Sequence, residues 1–320
     1  MAHTHLRLGT WSLGLALLLA GAGTSACLDD WTPDDDTVQP PGPGGEPSFG
    51  PVAGALQSPV RLALTPEGAV LVTDSRLGIV AEVDPTSLAA VAGAAITGKP
   101  LAVGFLDGRI YVGNAAAQTV DVLDALGSPV TSFGRGTVGH PSDLAVDAAL
   151  GQLFVVDGVA RAVKVFDSNG RLLRTLGSGA TFQAPIGVAV DTARREVLVT
   201  DYGNPDASLP AAVKIFDYDG NFLAEISGEG TCGSLGCSGG FSRPQGLAVH
   251  GGRLYVADGL LAAVLVFDRA TLARDTVLGG RGVPPNLRMP SDVAIGANGD
   301  VYVVSNVAGR VEVFRQGAAR

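Results

Sequence analysis

The chain has 320 residues, 46% of them hydrophobic and only 6% aromatic, with 45 glycines and a formal net charge of −9. That length holds one large domain or two ordinary ones, and the acidic balance argues against a nucleic-acid-binding chain. Val, Leu and Ala dominate the apolar set in short runs broken by Gly, Pro, Asp and Asn, which predicts many short strands joined by turns.

The chain opens on a polar stretch with Arg7, followed by S-L-G-L-A-L-L-L-A-G-A-G. This apolar run is shorter than an ordinary transmembrane helix and fits a signal peptide. It ends in Thr24-Ser25-Ala26-Cys27, which resembles the lipobox of bacterial lipoproteins, with Thr where Leu is usual. The expectation is a signal peptide over 1–26 with Cys27 acylated. Ordinary secretory cleavage near Ala26 is the alternative, and either route exports the chain. Leu28, rather than Asp, follows the cysteine and points to the outer membrane, facing the periplasm or the cell surface.

Residues 27–46 are acidic and rich in Pro and Gly, with almost nothing to bury, and are expected to form a disordered tether. Asp29, Asp30, Asp34, Asp35, Asp36 and Glu46 lie there, so with Arg7 also set aside the remaining chain carries a net charge of only −4. Contact with the membrane is then expected only through the lipid.

From Pro59 the sequence repeats. P-V-R-L-A-L, P-L-A-V-G-F, P-S-D-L-A-V, P-I-G-V-A-V, P-Q-G-L-A-V and P-S-D-V-A-I begin at Pro59, Pro100, Pro141, Pro185, Pro244 and Pro290, 41 to 59 residues apart. Each is followed by a second apolar segment ending in Asp, Asn or Ser, then a third with period-two alternation such as V-K-V-F-D at 163–167, then a weaker fourth. Four strands per unit and six units predict an all-β, six-bladed β-propeller over 47–316. The sixth unit lacks its fourth segment, so residues 47–56 are expected to complete the last blade and close the ring. In V-K-V-F-D-S-N-G and V-K-I-F-D-Y-D-G, Asp167 and Asp217 are expected to cap turns in which Gly170 and Gly220 take positive φ.

The pattern Pro-x-G-[LIV]-A-V-D, then [LIV]-Y-V-A-D, then V-x-V-F-D-x-x-G resembles the NHL repeat, across all six units. The Asn-His-Arg triplet usual between second and third strands reads G-V-A-R, G-L-L-A or N-V-A-G here, so partner surfaces do not carry over. WD40 repeats fit less well, because Trp11 and Trp31 both lie outside the units.

Asp74, Asp157, Asp201 and Asp258, with Asn114 and Ser305 at equivalent places, end the second segments and are expected to accept from nearby backbone N–H groups. Two insertions break the repeat, 202–210 and about 228–243, and both should open on one face. They make Tyr202, Asn204, Asp206 and Arg243 candidate binding residues, joined on that face by Lys99 and His140, which precede repeat prolines. Cys232 and Cys237, five residues apart in a Gly/Ser loop, are expected to form a disulfide in an oxidising compartment.

Asp143 and Asp292 occupy opposite blades, where they could hold a divalent cation such as calcium. The simpler reading pairs Asp292 with Arg61 and Asp143 with a local N–H. His140 and His250 fall on opposite faces, so a three-histidine zinc site of the lyase type is not available, and no catalytic residue is assigned. The sequence reading is a monomeric, lipid-anchored module that binds an envelope or extracellular protein, peptide or glycan, without nucleic acid or a required cofactor. The alternative is a cation-dependent lactonase or lyase at the channel mouth.

Overall fold

A computed structural model describes residues 49, 50, 52, 54–227 and 240–316, and the backbone of 232, 233, 236 and 237. The chain divides between Gly45 and Glu46. The expected signal peptide, Cys27 and tether all lie outside the described residues.

Blade one is β1 (Pro59–Leu64), β2 (Val70–Asp74), β3 (Ile79–Val83) and β4 (Ala90–Ala95). Blade two is β5 (Pro100–Leu106), β6 (Arg109–Asn114), β7 (Thr119–Asp124) and β8 (Pro129–Phe133). Blade three is β9 (Pro141–Asp147), β10 (Gln152–Asp157), β11 (Ala162–Asp167) and β12 (Leu172–Leu176). Blade four is β13 (Pro185–Asp191), β14 (Glu196–Asp201), β15 (Ala212–Asp217) and β16 (Phe222–Ser227). A two-residue ribbon, β17 (Cys232–Gly233) with β18 (Gly236–Cys237), precedes blade five, which is β19 (Pro244–His250), β20 (Arg253–Asp258), β21 (Ala263–Asp268) and β22 (Arg274–Gly279). Blade six is β23 (Pro290–Ile295), β24 (Val301–Ser305) and β25 (Arg310–Phe314).

Strands pair antiparallel in chain order within each blade, and the first strands contact one another cyclically, with β23 returning to β1. The repeat prolines begin these innermost strands, which have a free edge on the channel side and can spare the missing N–H. Alternation does the rest. In β11, Val163 and Val165 are buried while Lys164 between them is half-buried. The apolar core is divided into seams between neighbouring blades. Phe154, Val163 and Phe182 meet Val197, Val199 and Phe216 between blades three and four, for example.

Ring closure departs from expectation. Among the described residues blade six has three strands, and the N-terminal segment does not complete it. Gly50 instead exchanges both backbone hydrogen bonds with Gly93 on the outer edge of blade one, and Phe49 N–H donates to Leu126 of blade two. Side chains close the ring: Leu56, Leu62, Val70 and Val72 pack against Tyr302, Val304 and Val311 across the seam between blades six and one. The physical reason is that Gly93, with no side chain, leaves a flat docking edge, whereas the sixth blade is already buried against blade one through its first two strands.

The turns of the repeated octapeptides behave as expected. Asp167 Oδ1 accepts from Asn169 and Arg171 N–H, and Asp217 Oδ1 from Asp219 and Asn221 N–H, at 2.8–3.0 Å. Gly170 and Gly220 have φ of 83° and 91°. A Cβ on Gly170 would also collide with the Phe133 ring of blade two, so the residue serves the turn and the blade seam together.

Candidate functional site

The face on which first strands begin and second strands end is called the upper face here. Its loops are held by one repeated device. Asp258, fully buried, accepts from Ser242 and Arg243 N–H in the loop entering blade five and from Leu260 and Leu261 N–H in the loop leaving β20. Asp74 takes Gln57, Ser58, Arg76 and Leu77 in the same way. Asp157 takes Gly139, His140, Val159 and Ala160, and Asp201 takes Gln183, Ala184 and Gly203. Each carboxylate therefore clasps two adjacent loops to its blade.

The clasps have different counter-charges. Lys164 Nζ lies 3.4 Å from Asp157, and Lys214 Nζ 3.0 Å from Asp201. This explains the lysine in both V-K-[VI]-F-D copies. In blade two the pairing differs: the neutral amide of Asn114 fills the clasp position and donates from Nδ2 to Asp121, a carboxylate where the lysines stand. Blade five has Leu265 at that position. Burial pushes the Asp258 carboxyl up despite its N–H donors. For Asp157 burial pulls the same way, but the backbone donors and Lys164 outweigh it and the carboxyl sits below its usual range.

The predicted binding residues divide. Tyr202 and Arg243 meet, with the guanidinium 5.6 Å from the ring centroid, so the insertion of blade four touches the loop entering blade five. Asn204 is spent on its own loop. It caps a 3-10 turn at Pro205–Ala207, accepts from Asp206 N–H, and pairs by its backbone with Leu209. Asp206 is exposed at the tip. Lys99 and His140 stand on the same face at other blades, half-buried, with their backbone N–H groups clasped by Asn114 and Asp157. Cys232 and Cys237 are directly opposite in the β17–β18 ribbon, while their side chains lie outside the described residues.

The first strands surround the central channel, and their third residues are Arg61, Ala102, Asp143, Gly187, Gly246 and Asp292. Arg61 crosses the channel. Its Nε lies 3.1 Å from Asp143, one guanidinium nitrogen donates to Ser291 carbonyl at 2.6 Å, and the other to Ile186 carbonyl at 2.9 Å. Blades one, three, four and six are thereby tied together. Asp143 also accepts from Leu144 and Val188 N–H, and Asp292 accepts from Leu62 N–H at 2.8 Å. The expected pairing is thus corrected: Arg61 forms its ion pair across the ring with Asp143, not with Asp292 next door. A Cβ on Gly246 would collide with Asp292 Oδ1, so the glycine of blade five leaves room for that carboxylate.

All three charged side chains are buried, at 2–5% exposure. A guanidinium and two carboxylates reach neutrality only if one carboxyl keeps its proton. Burial and then the charge of Asp143 push Asp292 up to about 8, so it is the group that keeps it. Burial also pushes Asp143 up, against the pull of Arg61. Burial works against the Arg61 charge, but Asp143, Asp292 and the nearby Tyr202 hold its pKa above the ordinary value.

The sign of the pH effect follows. Unfolded Asp292 ionises near about 4, so between about pH 4 and 8 the unfolded chain releases a proton that the folded one keeps. Its contribution to stability is whole below about pH 4 and is lost as pH rises towards about 8. Asp292→Asn, which keeps the acceptor for Leu62, is expected to flatten the fall in stability across that window, measured by denaturant unfolding at several pH values. A fall as steep as in the parent chain would assign the proton elsewhere.

This centre offers no open ligand set for a cation. A metal held by Asp143 and Asp292 together would have to displace Arg61, and no cluster of three or more His, Cys, Asp or Glu side chains suited to a metal occurs among the described residues. A shallow groove opens elsewhere, between blades four and five, lined by Glu225, Ser227, Phe267 and Arg274. It follows the outer seam between β16 and the turn from β21 into β22.

Sequence reasoning missed two things. One is the reach of Arg61 to Asp143; the arginine at a position where the other first strands carry Ala, Gly or Asp was the available signal. The other is the charge of the upper loops, visible only after each loop is assigned to a face.

No family model matches the chain, and no curated protein matches it. Solved structures do. A chain of Kuenenia stuttgartiensis hydrazine synthase is similar at TM-score 0.61 and 14% identity, covering 84% of this chain and 98% of that one. The WD40 β-propeller domain of Doa1 is similar at TM-score 0.58 and 15% identity, covering 81% of this chain and 79% of that one. At such identities the likeness shows the propeller fold alone.

Proposed function

We propose that this protein is an exported, lipid-anchored propeller of NHL type that binds a protein, peptide or glycan of the cell envelope or its surroundings through the upper face. The observation that carries the reading is the contact between Tyr202 and Arg243. It joins the two insertions into one surface, over a channel that Arg61 fills. Loops clasped to a rigid ring are suited to binding, since little order has to be gained when a partner docks. A filled, charge-balanced channel suits a platform better than a cation-dependent catalytic pocket.

The cysteine ribbon fits the same picture. Opposed residues of an antiparallel pair stand at a separation a disulfide can bridge, so Cys232 and Cys237 are assigned as a disulfide that shapes the second insertion. Mass measurement after alkylation, with and without reduction, should show both thiols protected until reductant is added; alkylation without reductant would reject it.

The binding reading is tested with a photoreactive residue at exposed Asp206, compared with one at exposed Asp107 on the opposite face, in cells. A discrete adduct from position 206 and none from 107 is expected. Equal labelling at both, or none at 206, rejects the upper face as the binding face.

A further inference from the structure

The two faces of the ring carry opposite charge, and the repeat is the cause. Clasp carboxylates on the upper face are turned inward onto backbone N–H groups: Asp74, Asp157, Asp201 and Asp258 are almost wholly buried. On the lower face each of the first five blades places an aspartate at the turn into its fourth strand (Asp84, Asp124, Asp167, Asp217, Asp268), and none of these is buried. The upper loops then add cations. Arg76, Lys99, Arg135, Arg161, Arg281 and Arg288 all lie in them, in the loops of blades one to three and the loop leading into blade six, and none has a carboxylate within ion-pair distance among the described residues. Asp206 is the one carboxylate that the described parts of these loops expose. By contrast Arg171, Arg194, Arg269 and Arg315 of the lower face are each paired with a carboxylate.

Between the cations stand exposed aliphatic side chains. Val159, Val307, Val283, Leu260 and Leu209 occupy upper loops at 73%, 52%, 48%, 44% and 43% exposure. Of the aromatic rings in the described upper loops, Phe182 is buried, Phe241 is half-buried against Phe267 and Tyr202 is half-buried beneath Arg243, so these loops offer no fully exposed ring on which a sugar could stack.

We infer that the upper face takes an acidic peptide segment in which carboxylates alternate with aliphatic side chains, on a partner protein. The inference rests on the reading of that face as the binding face and specifies its ligand. A cationic face on a chain of net negative charge steers an anionic partner to one side and repels it from the other. The aliphatic tips give such a partner apolar area that a plain polyanion could not use. A charge-driven complex should weaken with salt, because exposed charges separated by more than a screening length cease to attract.

The test uses the full chain purified in detergent and three fluorescent peptides of equal length: alternating Glu and Leu, alternating Lys and Leu, and alternating Glu and Ser. Anisotropy should show binding of the Glu–Leu peptide, weaker binding of Glu–Ser, and none of Lys–Leu. Arg135→Glu with Arg288→Glu, two exposed positions on loops leading into opposite blades, should weaken Glu–Leu binding by about tenfold or more without changing the melting temperature. Equal affinity for the two charge signs, or affinity unchanged in the double variant, overturns the inference. So does binding to phosphatidylglycerol vesicles without binding to the peptide, which would make the face a lipid-docking one. A position-206 adduct with a partner that competes with none of the peptides would overturn the acidic ligand while leaving the binding face standing.

Discussion

Arg61→Met should lower the stability of the ring by about 3–5 kcal/mol, the range seen when one partner of a buried ion pair is removed, and its melting temperature by roughly 10 °C. Methionine matches the length of the aliphatic stem, so the loss is not chiefly one of packing. It comes from Asp143, left buried without its cation, and from the carbonyls of Ser291 and Ile186, left without their donor. The cost is high because one side chain ties four blades and the seams depend on one another around a closed ring. Asp143→Asn added to Arg61→Met should recover a large part of the loss, since the amide carries no charge to strand. Denaturant unfolding of the two variants measures this. Equal destabilisation of single and double variants would mean that the guanidinium acts by bulk and not by charge.

Asp258→Ala is expected to cost about 3–4 kcal/mol, because four backbone N–H groups lose a shared acceptor, two in each of two loops. Asparagine at the same place should be far milder, about 1 kcal/mol, because burial already disfavours the charge there and Leu265 stands where Lys164 and Lys214 face the other clasps. Asp157→Asn should be the more damaging of the two amide substitutions, since Lys164 would lose its counter-ion. The order of the two asparagine variants, read by unfolding, follows from the counter-charges. If the two asparagine variants melt together, the lysines are ornaments of the clasp and not part of it. Asp258→Ala also frees the loop that carries Arg243, so it should weaken upper-face binding as well as stability, whereas Arg61→Met leaves the loop clasps intact.

Much of the architecture is legible in the chain itself. Six proline-led segments and the alternation of V-K-V-F-D define blades and strand faces, because a period of two in side-chain direction is a local property of extended backbone. The turns were equally plain: Asp167 and Gly170 need only their own neighbours to form the turn. The aspartates ending the second strands were readable as acceptors of local N–H groups, though not as clasps spanning two loops, since one of those loops is 15 to 18 residues away in sequence. The ends of the chain misled. A missing fourth strand in blade six suggested that residues 47–56 fill it, but Phe49 and Gly50 found a glycine edge on blade one instead. Strand edges compete for a partner by shape, and shape is not written in the segment that binds.

Fold class, blade boundaries, turn chemistry and the location of both insertions followed from the order of residues, since each depends on contacts within one repeat. Three features waited for the tertiary structure: the crossing of the channel by Arg61, the neutral balance it strikes with Asp143 and Asp292, and the gathering of cations on one face. Each joins residues from different blades, as when Arg61 reaches Ser291, 230 positions away in the chain, and distance along a sequence carries no record of distance across a ring.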